Sequence, residues 1–263
     1  MSRARSSFGR RRFLRGSLAL LAAAAAAGGA QASGTPRVKL ASNGQFPPFS
    51  FAEKHGSLRG LLVDELRLTA DAAGLIFEFV DRPWARGQQM VRSGELDAFC
   101  TIPTEERRGY VLFAPTPLFH EETVLIGRAD DPRIAEAQTL GDLKGLKIAE
   151  PLGTGWTQGY LPEDSVVWSS DIGNILSMIE ARRIDATVFG RSTVEAILAA
   201  SPSAHRLRVT AFNALPRDEG FCFGLRKSFP DAEAVVAKID GVLRDLTAAG
   251  VFEPIRARYL SHG

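Results

Sequence analysis

The sequence predicts an α/β protein of two lobes, on three observations. Strand and helix signals alternate from Arg37 to Cys100, a second such series starts after residue 140, and two apolar strands that run into charge and proline stand between and after them. Alternation of this kind implies mainly parallel sheets with helices on their faces.

Taken in order, "RVKLAS" (37–42) reads as a strand, and "GLLVDELRLTADAAG" (60–74) carries apolar residues at helical spacing and stops on a glycine. "LIFEFVD" (75–81) is a strand, "PWARGQQMVRSG" (83–94) a helix with proline at its start and glycine at its end, and "LDAFC" (96–100) a buried strand. "IPTEERRGY" (102–110) then reads as the first turn of a helix capped by Thr104, in which Glu105 and Glu106 suit the positive N-terminal dipole. Arg107 stands where a capping box would put Glu or Gln, and there the dipole opposes a cation by about 0.3–1 kcal/mol. A cation so placed asks for an anionic partner.

The second series consists of "GLKIAE" (145–150), a Gly153-Thr154-Gly155 turn, "SVVWSS" (165–170), the helix "DIGNILSMIEARR" (171–183), "IDATVFG" (184–190), the helix "STVEAILAA" (192–200) and "RLRVTAF" (206–212). The strands "TVLIGRADDP" (123–132) and "GFCFGLRKSFP" (220–230) are read as the two crossings between lobes, and the tail from Asp231 to Leu260 as helices that pack back on the first lobe. Residues 33–124 with 220–263 form lobe one in this reading, and residues 125–219 form lobe two.

The first 32 residues read as an address. They hold six arginines and no acid, and "GRRRFLRG" leads into "SLALLAAAAAAGG" and an "AQA" cleavage site at 30–32. Arg10-Arg11-Arg12-Phe13-Leu14-Arg15 resembles a twin-arginine export signal, removed after about Ala32. Beyond residue 32 lie all 30 acids but only 26 of the 32 basic residues, so the excess of positive charge belongs to the signal. No basic stripe suits nucleic acid, no cysteine or histidine cluster suggests a metal, and no cofactor motif stands out. The sequence leaves open whether Cys100 and Cys222 pair. A soluble periplasmic monomer is expected.

From Val38 to Leu260 the order of "FPPFSF", "GLLVDELRLTADAAG", "PWARGQQMVRSGELDAF", "PTEERRGYVLFAPTPLF", "TLGDLKGLKIAEPLGTG", "RRIDATVFG", "GLRKSFPDA" and "LTAAGVFEPIRARYL" resembles the type-two periplasmic solute-binding proteins of polar amino-acid ABC transporters. The resemblance implies a two-strand hinge and a cleft that closes on a small ligand for an inner-membrane ABC permease. It implies that Arg107 grips a ligand carboxylate, that backbone N–H groups and the hydroxyl of Gly153-Thr154-Gly155 take the same anion, that Phe46 stacks on the ligand, and that Trp84 walls the cleft. Asp97 and Asp185, beside strands, are given structural roles.

Two departures bear on the ligand. The serine-rich stretch that receives an amino group in the family is shorter here, "DAFCTIPT", and offers Cys100, Thr101 and carbonyls. The second-lobe acid that pairs with an α-ammonium falls on Gly190. A buried ammonium without a carboxylate partner is costly, so the expected ligand is an amino acid held differently or a carboxylate without an α-amine, with Glu150 among the acids that can substitute. No catalytic set is found: the four histidines are scattered and no serine sits in a nucleophile elbow. Two other classes fit the same scaffold, a periplasmic enzyme such as a cyclohexadienyl dehydratase, for which Glu150 or Glu121 would be the acid, and a ligand-presenting sensor input.

The export reading has a direct test. Replacing Arg10 and Arg11 by lysine keeps the charge and is expected to abolish periplasmic accumulation, because a twin-arginine signal is read by a receptor. Normal amounts in the periplasmic fraction would assign the general secretory route instead.

Overall fold

A computed structural model describes residues 35–155, 160–161, 165–212, 214 and 220–260. The export signal read in residues 1–32 lies outside them, as does part of the segment before Gly220.

The first sheet opens with β1 (Arg37–Ser42). A small antiparallel ribbon follows, made of β2 (Gln45–Phe46), β3 (Ser50–Ala52) and β4 (Leu58–Arg59). Helix α1 (Leu61–Ala73) buries Leu61, Leu62, Leu66 and Ala70, and ends on Gly74 in the left-handed region that glycine adopts without penalty. Strand β5 (Ile76–Asp81) runs parallel to β1 from Arg37 opposite Ile76 to Ser42 opposite Asp81. Helix α2 (Trp84–Ser93) is entered through Pro83 and stopped by Gly94. It delivers the chain to β6 (Ala98–Thr101), the single turn α3 (Glu105–Arg108) and β7 (Val111–Phe113).

The second sheet begins with β8 (Thr123–Arg128), followed by α4 (Pro132–Glu136), β9 (Ile148–Pro151) and β10 (Val166–Ser169). It continues with α5 (Ile172–Glu180), β11 (Ala186–Gly190), α6 (Arg191–Ala199) and β12 (Leu207–Ala211). The chain then returns to the first sheet as β13 (Cys222–Arg226) and closes with α7 (Ala232–Ala248) and α8 (Glu253–Leu260). The strand orders are β5-β1-β6-β13-β7 and β10-β9-β11-β8-β12.

Neither sheet is all parallel, although alternation predicts mainly parallel strands. In each lobe one strand runs antiparallel between two neighbours: β13 between β6 and β7, and β8 between β11 and β12. These are the two strands read from sequence as the crossings. Ladder hydrogen bonds on both edges make them interior strands, so the crossings fall just before each of them. The crossing segments meet where Phe221 N–H donates to the Phe119 carbonyl at 2.7 Å and Leu118 N–H to the Phe221 carbonyl at 2.8 Å.

One core of the first lobe lies between its sheet and α1, α7 and α8, with Phe49, Phe223, Ile239, Leu243 and Phe252 at most 1 % exposed. Each such side chain contributes about 1.5–3 kcal/mol by leaving water. The tail is fixed by charge as well: Arg256 Nε donates to the fully buried Glu65 at 2.9 Å, and its Nη2 to the Leu118 carbonyl at 2.6 Å. Asp97 and Asp185 are structural, accepting from Lys39 N at 2.9 Å and Lys147 N at 2.8 Å to join neighbouring strands. The register sets Cys100 opposite Phe223 and Cys222 opposite Thr101, so the two thiols lie on opposite faces of the sheet and form no disulfide.

Gly60, which starts α1, has φ +136°, and a Cβ there would stand 2.3 Å from the Phe49 carbonyl oxygen. Gly60→Ala is therefore expected to cost on the order of 3 kcal/mol in urea unfolding. Gly56, with φ +82° and open space around it, supplies the control. Gly56→Ala should cost only the backbone penalty, about 1 kcal/mol.

Candidate functional site

The site is built around one buried cation. Thr104 caps α3 by accepting from Arg107 N at 3.3 Å. The helix stops at Arg108, so Arg107 lies in its last residues and not in the first turn of a long helix. The dipole penalty expected from the sequence thus does not arise. Arg107 turns inward instead and is 3 % exposed.

Its guanidinium donates from Nε to Gln88 Oε1 at 2.9 Å, from Nη1 to the Ile102 carbonyl at 2.7 Å and from Nη2 to the Gly153 carbonyl at 2.8 Å. A guanidinium carries five N–H donors, so one on each terminal nitrogen is left without a bond among the described residues. No carboxylate pairs with it among the described residues, and the nearest π-face is the Trp84 ring, 5.7 Å away. Burial lowers its pKa to about 10, which still leaves it charged at neutral pH.

Lobe two meets this cation at Gly153. The glycine has φ +80°, and a Cβ would stand 2.5 Å from Gln88 Nε2. Its carbonyl accepts three bonds, from Arg107 Nη2 and from Trp84 Nε1 and Gln88 Nε2, the last two both at 2.9 Å. Thr154 faces the other way: its N–H and hydroxyl donate to the Pro151 carbonyl at 3.1 and 2.8 Å, and the hydroxyl lies 3.0 Å from Glu150 Oε2. The turn offers Arg107 a carbonyl, while the N–H and hydroxyl of Thr154 are engaged within lobe two. The type of turn was legible; the direction of its donors depends on backbone angles that no residue letter records.

Between the lobes lies a cavity of about 100 Å³. Phe46, Trp84, Thr101, Arg107, Thr154 and Gly155 all line it. Phe46 reaches across the cleft, its ring 6.2 Å from that of Phe189 in lobe two and 5.9 Å from that of Phe221 at the crossing. The deeper wall is apolar, with Leu40, Leu62, Leu66 and Phe79. Ser50 also lines it; its buried hydroxyl has no hydrogen-bond partner among the described residues. Cys100 lines it too, and burial pushes its thiol well above the usual range, so it stays protonated. Sequence reasoning missed Gln88 and Ser50. Gln88 had a signal, since it stands four residues after Trp84 and so on the same helix face.

Gly190 does not line the cavity. A Cβ there would meet Glu121 Cγ at 2.7 Å, because the side chain of Glu121, from the crossing segment, lies over it. Glu121 Oε1 accepts from Ser192 N at 2.7 Å and so caps α6, whose own cap residue Gly190 has no side chain to do so. The acid that stands in at this place is Glu121, and Glu150 lies in β9 beside Thr154. Arg191 is engaged by Glu122 at 2.7 Å and Glu195 at 3.1 Å, and among the described residues no cation pairs with Glu121.

Among the described residues no cluster suited to a metal ion occurs, and no helix is long and apolar enough to cross a membrane. A sequence model of the bacterial extracellular solute-binding proteins, family 3, matches residues 38–262. The chain belongs to that family. This solute-binding protein is 23% identical over 231 residues to a probable amino-acid ABC transporter-binding protein of Haemophilus influenzae, covering 87% of this chain and 86% of that one. It superposes on an ancestral arginine-binding protein bound to arginine with a TM-score of 0.72 at 21% identity, covering 86% of this chain and 99% of that one. A histidine kinase sensor domain with similarity to periplasmic binding proteins gives a TM-score of 0.72 at 23% identity over 86% of this chain and 97% of that one. The fold is thus the two-lobed type II periplasmic binding fold.

Burial, opposed by the Ser192 N–H, pushes Glu121 from its ordinary 4.5 up to about 7, with Glu195 and Glu122 adding repulsion. The folded protein therefore holds a proton that the unfolded chain has lost between these values. The stability this confers is complete below pH 4.5 and lost as pH rises through 7. Glu121→Gln keeps the acceptor for Ser192 and removes the titration. The variant should exceed the parent in stability at pH 8 by on the order of 2 kcal/mol and match it near pH 4.5, read by thermal melts across that range. Equal slopes in the two proteins would leave Glu121 ionised throughout.

Proposed function

We propose that this solute-binding protein captures a small carboxylate-bearing solute, an amino acid or related organic acid, between its lobes and presents it to an inner-membrane ABC permease. The observation that carries the reading is Arg107: a buried guanidinium at the junction of the lobes, with no carboxylate partner among the described residues and one N–H on each terminal nitrogen still to be met. Two such donors in one plane match the two oxygens of a carboxylate, and the low dielectric of the cleft strengthens the pair. The relatives named above, a transporter-binding protein, an arginine-binding protein and a sensor domain, support a binder over an enzyme. In this reading residues 33–124 with 220–263 are lobe one, residues 125–219 are lobe two, and residues 1–32 are lost on export.

The body of the solute is small and largely apolar. An engineered apolar cavity of about 150 Å³ holds benzene, so about 100 Å³ suits a shorter chain. The apolar deep wall receives that chain, and the Ser50 hydroxyl gives it one polar contact. The α-ammonium is recognised weakly, because Gly190 has no side chain and Glu121 is turned to Ser192.

A thermal-shift screen of amino acids, short aliphatic carboxylates, dicarboxylates and aromatic acids tests this. A solute at one hundred times its Kd should raise stability by about 2.7 kcal/mol. Arg107→Ala should then weaken binding of that solute by about 2–5 kcal/mol, and Arg107→Lys should recover only part of the loss. The alanine variant also leaves the Ile102 carbonyl and Gln88 Oε1 short of a donor, so its own melting should fall, by about 1–3 kcal/mol. If no carboxylate shifts the melt, or the alanine variant binds as tightly as the parent, the proposal fails.

A further inference from the structure

The three bonds on the Gly153 carbonyl do more than orient Arg107. All three donors belong to lobe one and the acceptor belongs to lobe two, so they form a contact between the lobes that needs no solute. Trp84 and Gln88 sit one turn apart on α2 and present an indole N–H and an amide N–H to the same oxygen at 2.9 Å. Gln88 does this while its Oε1 accepts from Arg107 Nε at 2.9 Å. One amide therefore holds the cation with its oxygen and the opposite lobe with its nitrogen.

We infer that Gln88 is a positioning residue that couples Arg107 to lobe closure: with Trp84 it forms a clasp on the Gly153 carbonyl that draws the lobes together before a solute arrives, and it fixes which edge of Arg107 the solute meets. A carbonyl oxygen has two lone pairs, so a third donor shares it on poor terms. The donor that gains most by leaving is Arg107 Nη2, because the full negative charge of a carboxylate attracts the guanidinium more strongly than a neutral carbonyl dipole does. Trp84 and Gln88 then keep the carbonyl while Arg107 shifts toward the carboxylate that its free terminal N–H groups meet. With Nε held by Gln88, the carboxylate is met by the terminal nitrogens. Gly153 is required for this arrangement, since a Cβ would fill the place of Gln88 Nε2. The solute half of this mechanism rests on the carboxylate reading above; the clasp itself does not.

The test accordingly uses no solute. The full chain, unfolded and refolded to strip carried-over solute, is studied by small-angle X-ray scattering together with Gln88→Glu, Gln88→Met and Trp84→Phe. Gln88→Glu has the same shape and still offers Arg107 an acceptor, but it replaces the donor to the Gly153 carbonyl by an anion that repels it. A residue that served only packing or the orientation of Arg107 would not notice this change. The radius of gyration should rise in all three variants, with the closed-to-open ratio falling roughly fivefold for each net hydrogen bond lost and further in Gln88→Glu. Far-UV circular dichroism should match the parent. Parent-like scattering from Gln88→Glu, or opening in Gln88→Met alone, overturns the clasp. Should Gln88→Glu fail to fold, Trp84→Phe decides, and parent-like scattering from it overturns the clasp equally. A failed carboxylate screen with open variants would sink the solute reading and leave the clasp standing.

Discussion

A guanidinium removed from water is the constraint around which this protein is arranged. Burying a charge is costly unless hydrogen bonds replace its hydration. Arg107 finds them at Gln88, Ile102 and Gly153, which come from a helix, the loop after a strand, and a turn in the opposite lobe. That choice of partners explains much of the rest. The chain enters α3 through a Thr104 cap so that Arg107 points inward, α2 ends at Gly94 so that β6 can return beside it, and Gly153 is bare so that its carbonyl can approach. Two N–H groups remain, on a residue that lines the space the two lobes define jointly.

The same economy governs the opposite side of the cleft. Position 190 has no side chain, and Glu121 fills the space above it and caps α6. An acid is still present there, but it comes from the crossing segment, and one of its oxygens is committed to a backbone N–H. The chemistry of a site depends on which atoms remain uncommitted, and the inventory of residues alone does not determine that.

Much of this was legible in the sequence because it is local. Gly74 and Gly94 marked the ends of α1 and α2, Pro83 the entry to α2, and the odd charge at position 107 marked the anchor. What was not legible depends on partners far along the chain. The insertion of β13 between β6 and β7 leaves no periodic trace, since any buried strand reads as a short apolar run. The contact of Glu121 with Gly190 spans 69 residues, and that of Gln88 with Gly153 spans 65. The Thr154 hydroxyl is engaged by Glu150 and the Pro151 carbonyl, partners within its own lobe. Local letters announced a glycine-rich turn and could not say which of its polar groups would face inward.

The topology of the two sheets has a consequence for how the chain is made. The second sheet is assembled wholly from residues 123–211, a continuous stretch, so it can be completed as soon as that stretch has emerged from the ribosome. The first sheet cannot. Its β6 and β7 are synthesised early, yet the strand that joins them, β13, ends at Arg226. Until then both hold unpaired ladder edges, the kind of surface on which strands from other chains assemble. The half of the protein that is made first is therefore the half that is finished last, and the nascent chain has to shelter those two edges while the whole of the other lobe folds.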